Sequence, residues 1–165
     1  GIFMAASIRP AMAADLPRLQ EVYARARQFM RAGGNLTQWG AGDRPEDRLA
    51  GDIAKGQLYV VESGGTVHAS FAFILGDDPL YDVIHQGQWL SNRPYGTIHR
   101  LASDGALQGV LSLVVSFCRT QCSHLRADTH EDNAVMRHLL EKNGFLRCGI
   151  IRAADDTPRI AYELV

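Results

Sequence analysis

Three side chains in this sequence suit proton transfer near neutral pH. His99 lies within a predicted strand 95–103, Asp128 near the end of a predicted strand 124–129, and His130 just past it. A histidine titrates close to neutrality, and a carboxylate at a strand end can take a proton from a group bound there. Each residue also has a plainer reading. Asp128 can tie down the 130–133 loop or pair with Arg100, His99 can be a satisfied core histidine, and His130 can be a solvated loop residue. A different chemistry is suggested by Asp104-Gly105-Ala106-Leu107-Gln108-Gly109, which leads from strand 95–103 straight into a helix. Glycines at such a junction leave backbone N–H groups and the positive helix end accessible, and a pyrophosphate binds there without basic side chains. The plainer reading is a tight turn that lets the helix pack on a sheet. Trp39, Tyr81 and Trp89 fall outside periodic core positions, so they can wall a ligand pocket or anchor loops on the core. Cys118 and Cys122 sit four apart with no His or Cys beside them, and His124, His130 and His138 have no zinc spacing. No metal site is expected, and the cysteines read as small buried hydrophobes.

These residues need elements to position them. Ile8-Arg9-Pro10 reads as a short first strand. Asp15 is placed to cap a helix with apolar Leu16, Leu19, Val22, Tyr23, Ala26 and Met30 near a 3.6 period, ending at Gly33-Gly34. A polar loop with Trp39 precedes a short helix from Pro45 to Lys55. Strands follow over 58–62 and 67–75, joined by the hairpin signal Gly64-Gly65. The segment 77–94 is irregular and rich in aromatic and turn residues, and a loop of that length is more often functional than not. Next come strand 95–103, helix 108–122, strand 124–129, helix 133–142 and strand 145–152. The closing strand 159–165 alternates Ile160, Tyr162 and Leu164 on one face. The order β-α-α-β-β-β-α-β-α-β-β predicts a mixed sheet covered by helices.

The chain has 165 residues, 46% apolar and 21% charged, which suits one globular domain with a core of its own. A formal net charge of −1 with no basic stripe argues against nucleic acid as a partner. Three irregularly spaced cysteines argue against a disulfide framework and for a reducing compartment, the cytoplasm. Gly1-Ile2-Phe3-Met4 lacks the pattern of a signal peptide, with Met4 a candidate start, and no apolar run approaches the ~20 residues of a membrane span.

The stretch Leu125-Arg126-Ala127-Asp128-Thr129-His130-Glu131-Asp132-Asn133, followed by Met136, Leu139, Leu140 and Lys142-Asn143-Gly144-Phe145, resembles the GNAT acetyltransferase superfamily. There a strand ends in an acidic residue, an Asn caps the next helix, and a Lys-x-Gly-Phe turn leads into the following strand. Ile8-Arg9-Pro10-Ala11 with Asp15-Leu16 matches the family's usual opening, so the resemblance covers nearly the whole chain. It implies a single α/β domain over 1–165, acyl-CoA N-acyltransferase-like, with a mixed, splayed β-sheet flanked by helices, and acetyl-CoA as cofactor. It places pairing with the pantetheine amides on Leu101, Ala102 and Ser103. It places the pyrophosphate on the amides of Gln108, Gly109, Val110, Leu111 and Ser112, and a contact with the pantetheine or phosphate arm on Asn133. His99 and Asp128 would then flank a cleft from adjacent strands. Asp128 falls where some relatives carry a Glu base, and the backbone near Leu101 is placed as an oxyanion donor.

The sequence departs from the family at three positions. The phosphate loop, Arg/Gln-x-x-Gly-x-Gly/Ala in the family, reads Ala106-Leu107-Gln108-Gly109-Val110-Leu111. Ala106 removes the polar first residue, and Leu111 replaces a small one. Leu140 occupies the position of a Tyr that often acts as general acid. The expected function is acetyl transfer from acetyl-CoA to a primary amine, small molecule or peptide, by direct attack in a ternary complex. No cysteine is placed for a covalent acyl intermediate. The alternatives are a non-catalytic acyl-CoA-binding or regulatory domain, favoured by Leu111 and Leu140, and a protein-interaction domain of the same fold. The acceptor, the acyl-chain preference and the oligomeric state, a homodimer included, have no legible motif.

Overall fold

The computed structural model describes residues 5–36, 38–40 and 44–165, and the opening Gly1-Ile2-Phe3-Met4 lies outside them. Its elements follow the expected order: β1 (Ser7–Pro10), α1 (Leu16–Ala32), α2 (Leu49–Ala54), β2 (Leu58–Ser63), β3 (Thr66–Leu75), β4 (Gly96–Ser103), α3 (Val110–Arg119), β5 (Leu125–Thr129), α4 (Ala134–Lys142), β6 (Leu146–Arg152) and β7 (Pro158–Leu164). Short 3₁₀ turns over Ala13–Asp15 and Pro45–Arg48 lead into α1 and α2, and another spans Pro79–Tyr81. The strands form one mixed sheet in the order β1-β2-β3-β4-β5-β7-β6, with β4 and β5 parallel and every other pair antiparallel.

Alternation along the strands splits the apolar residues between the two faces. Val61, Phe71, Phe73, Ile98, Leu125, Ile160 and Tyr162 pack with Leu111 and Val114 of α3 and Leu140 of α4. Val60, adjacent to Val61, packs on the opposite face with Ala72, Ala102 and the α1 residues Leu19, Val22 and Tyr23. Each fully buried side chain of this kind contributes roughly 1.5–3 kcal/mol. A third cluster, Tyr81, Tyr95, Ile151 and Ala161, forms where the segment 77–94 lies across β5, β7 and β6.

Three local expectations change. Asp15 precedes α1, but its side chain makes no cap bond to that helix. It accepts instead from the Met12 amide at 2.8 Å and from both Nη atoms of Arg9 at 2.9 Å, so an ion pair wins the carboxylate. Helix α3 begins at Val110, later than 108, because Gly109 takes a left-handed conformation with φ +69° and cannot continue a helix. The segment 77–94 is less irregular than it reads. His85 and Ile150 exchange both backbone hydrogen bonds at 2.8 Å. Gly149 permits this crossing, since a Cβ there would lie 2.6 Å from the His85 carbonyl oxygen.

Candidate active site

Strands β4 and β5 pair only at Gly96–Leu125 and Thr97–Arg126, and then separate. The cause is on the other edge of β4. Its register with β3 shifts between Ser70 and Ala72, where β4 carries one extra residue, and Arg100 there has φ +53°. A bulge of this kind bends the strand and interrupts its ladder. The strain is held in place by packing. The Arg100 guanidinium is bidentate to Asp52 of α2 at 2.9 and 2.7 Å, and the Arg100 carbonyl accepts from the Tyr23 hydroxyl at 2.6 Å. The edge of β4 that faces β5 from Ile98 onward therefore has no strand partner. A cleft of about 540 Å³ opens between the two strands, lined by Leu101, His99, Asp128, Asn133, Trp39 and Leu111 among others.

At one end the cleft leads to the start of α3. The first intrahelical bond runs from the Leu113 amide to the Gly109 carbonyl at 3.1 Å, so the N–H groups of Val110, Leu111 and Ser112 have no acceptor in the helix. A Cβ on Gly109 would meet nothing within 4 Å, and Gln108 and Ser112 are exposed. An anion can approach these amides. Leu111 does not obstruct them, because its side chain is turned into the core, 4% exposed. Asp104 places a carboxylate at the base of this loop, and its charge is compensated. It accepts from Arg18 at 2.7 Å and the Ala106 amide at 2.9 Å, and lies 2.8 Å from Nδ1 of His68. Burial alone would raise its pKa, but His68, the Ala106 amide and Arg18 hold it below the usual carboxylate range. This brace between α1, β3 and the loop has no signal in the sequence, since its members lie far apart in the chain.

At the other end, the two proton-transfer candidates on the cleft wall are each paired with a residue of the 77–94 segment. Asp78 lies 3.1 Å from Nε2 of His99 through Oδ2, and its Oδ1 accepts from the Leu80 amide at 2.9 Å. The His99 contact is the main reason its carboxyl sits below the ordinary range; burial opposes it, and the Leu80 amide assists. An ionised Asp78 holds the proton of a neutral His99 on Nε2 and leaves Nδ1 as the basic nitrogen. Asp128 accepts from the Tyr81 hydroxyl at 2.6 Å. Burial, and then the Asp128 charge, push the Tyr81 pKa well above 10, so the phenol remains the donor.

The 77–94 segment is itself anchored from beneath. Glu163 of β7, 0% exposed, accepts from the Leu90 amide at 2.6 Å, His124 Nε2 at 2.6 Å and Arg126 Nε at 2.9 Å. Arg126 lies between the rings of Trp89 and Tyr95, 3.9 and 4.1 Å from their centroids, and donates to the Ser91 carbonyl at 2.8 Å. Trp89 donates to the Tyr81 carbonyl at 2.8 Å, and the Tyr95 hydroxyl accepts from the Asp78 amide at 2.8 Å. A chain of contacts thus runs from Glu163 to both cleft pairs.

The proposed site residues therefore divide. His99, Asp128, Leu101, Leu111, Asn133 and Trp39 line one cleft, and Gln108, Gly109, Val110 and Ser112 stand at the helix end. Ala102 pairs with Ser70 and buries its side chain against α1, while the Ser103 hydroxyl accepts from the Gly105 amide. His130 is not on the cleft wall; its Nδ1 accepts from the Asp132 amide at 3.0 Å. Tyr81 is 2% exposed and reaches the site only through its hydroxyl, and Trp89 stacks on Arg126. Asn133 caps α4 by accepting from the Met136 amide at 3.1 Å, as the capping Asn of the resemblance would. Asp78 was missed. Asp78-Pro79 is a recognisable turn start, but nothing local indicates that its second oxygen reaches His99. Burial pushes the Cys118 thiol up to about 12. Burial, and then Glu163, push Cys148 up to about 11. No cysteine lines the cleft.

No protein-family profile and no curated protein sequence matches the chain. Solved structures do. An acetyltransferase of the GNAT family from Streptococcus agalactiae superposes with a TM-score of 0.85 at 28% identity, over 100% of this chain and 98% of that one. The ribosomal-protein-S18-alanine N-acetyltransferase of Escherichia coli gives 0.62 at 17% identity, over 97% and 93%. The yncA protein of Salmonella typhimurium, solved with its cofactor acetyl-CoA, gives 0.60 at 20% identity, over 97% and 93%. At the lower identities the likeness is one of fold.

Proposed function

The chain belongs to the GNAT superfamily, and on that premise we propose that it transfers an acetyl group from acetyl-CoA to a primary amine in a ternary complex. The observation that carries this reading is the opening between β4 and β5, with an unpaired strand edge along it, unpaired helix amides at one end and Asp128 and His99 at the other. Acetyl-CoA, when bound, supplies the acyl group as a thioester. The amides at the start of α3 suit its pyrophosphate, and the β4 edge suits its amide-bearing arm as a missing strand would. Asp128, or His99 oriented by Asp78, takes the proton of the incoming amine. Direct attack is favoured because the buried thiols are held protonated and lie off the cleft. The test is a calorimetric titration with CoA, followed by thiol release with a panel of amines and N-terminal peptides. Binding with turnover is expected. No binding of CoA overturns the reading.

Leu140 favours a second reading, a non-catalytic acyl-CoA binder. It is 2% exposed and lines the cleft where the family often has a phenol. Tight CoA binding with no amine-dependent thiol release across the panel would establish that one.

Gly109 tests the phosphate end by itself. Gly109→Val forces a β-branched residue into φ +69°, a strain of about 1–3 kcal/mol, and adds bulk beside the amides. CoA affinity is expected to fall roughly tenfold or more. A variant that binds CoA as the wild type does would remove the phosphate from this turn.

A further inference from the structure

Thr129, the last residue of β5, is 1% exposed, lines the cleft, and its Oγ1 has no hydrogen-bond partner within the chain. A buried hydroxyl without a partner is costly. The position of this one gives it a direction. Parallel strands advance at equal rise, so Thr129, three residues past Arg126, stands level with Arg100 and Leu101 of β4, three and four past Thr97. That is the stretch where the splay has opened and the β4 edge is unpaired. Side chains alternate along β5. Arg126 and Asp128 face Trp89 and Tyr81. Leu125 and Ala127 face the core cluster formed with α3 and α4, and Thr129 shares their side. Asp128 and Thr129 thus present the two faces of one strand end, the carboxylate on the side of the 77–94 segment and the hydroxyl on the side of the phosphate helix. Leu111 and Leu140, which line the cleft from α3 and α4, have no polar atom to offer there.

We infer that the Thr129 hydroxyl is a binding group for the thioester end of the acyl-CoA arm, donating to a carbonyl there. This rests on the acyl-CoA reading above. The residue supplies a donor on the face where Leu140 supplies none.

The inference has a signature that a structural role does not share. Thr129→Val removes the hydroxyl and keeps the shape. Because the hydroxyl has no partner in the chain, the ligand-free variant is expected to melt about 2–4 °C higher than the wild type. Its affinity for acetyl-CoA by calorimetry is expected to fall about tenfold, and Thr129→Ser is expected to restore it. Thr97→Val is the control. Thr97 Oγ1 is also buried without a partner, but Thr97 lies at the vertex of the splay and not on the cleft wall. That variant should melt higher with acetyl-CoA affinity unchanged. CoA and acetyl-CoA are titrated in parallel. Equal loss for both assigns the contact to the pantetheine, loss for acetyl-CoA alone assigns it to the acetyl carbonyl, and either supports the inference. If wild type and Thr129→Val bind both ligands equally, the inference is overturned while the acyl-CoA reading stands. If the wild type binds neither, both fall. Thr129→Ala carries the same affinity test should Thr129→Val not fold.

Discussion

Asp128→Asn is expected, with Asp128 as the proposed base, to lower kcat by about 10²-fold or more, the usual contribution of a positioned base, while leaving acetyl-CoA affinity close to that of the wild type. The substitution removes the proposed proton acceptor but keeps an oxygen for the Tyr81 hydroxyl, which donates to Asp128 at 2.6 Å, so the 77–94 segment should stay in place. The amides proposed to hold the phosphate lie on a different element, α3. His99→Gln is the companion experiment. If His99 is the base, its loss flattens the neutral limb of the pH–rate profile, because its proton-accepting nitrogen is gone. The contact with Asp78 at 3.1 Å favours an imidazole held ready to accept on the other nitrogen. Steady-state kinetics of both variants over pH, with CoA titrations of each, separate the two assignments. Wild-type turnover in both would remove both residues from the proton path and leave an ordered water or the amine itself to carry the step.

Glu163→Ala is expected to be the most destabilising single change in the site region. Its carboxylate is fully buried and receives His124, Arg126 and the Leu90 amide. Removing one partner of a buried charge network costs about 3–5 kcal/mol, because the remaining charge is left uncompensated. For a chain of this size that lowers Tm by roughly 10 °C. The pH dependence follows from the direction of the Glu163 shift. Burial alone would raise its pKa, but the bonds from His124, Leu90 and Arg126 outweigh it and hold the folded value below the ordinary 4.5. A carboxylate depressed on folding adds stability above its unfolded pKa and loses it as pH falls through the folded one. The gap in melting temperature between wild type and Glu163→Ala should therefore close as pH drops below 4.5. Turnover should fall as well, because Trp89, Tyr95, Tyr81 and Asp78 lose the base on which they are stacked. A melting curve unchanged from the wild type at neutral pH would show that the network contributes nothing.

Much of this molecule was readable in one dimension. Leu19, Val22, Tyr23 and Ala26 mark α1 by their spacing, and Ile160, Tyr162 and Leu164 mark β7 by alternation. Each is a short-range pattern set by backbone geometry and turn chemistry, which neighbouring residues determine among themselves. The candidate proton-transfer groups were readable as types, Asp128 and His99, but not as pairs. Tyr81 and Asp128 are 47 residues apart, Asp78 and His99 21, Arg100 and Asp52 48. The bulge that opens the cleft depends on Arg100 keeping φ +53°, which its own sequence disfavours and which the Asp52 ion pair and the Tyr23 hydroxyl hold in place. The segment 77–94 reads as irregular because its order comes from β5, β6 and β7 beneath it, through Glu163, Arg126 and Ile150. The sequence by itself determined the elements, their order and which residue types could do chemistry. Only the tertiary structure decided which of those residues face one another, because a side-chain hydrogen bond between distant strands is specified by packing and not by any local spacing.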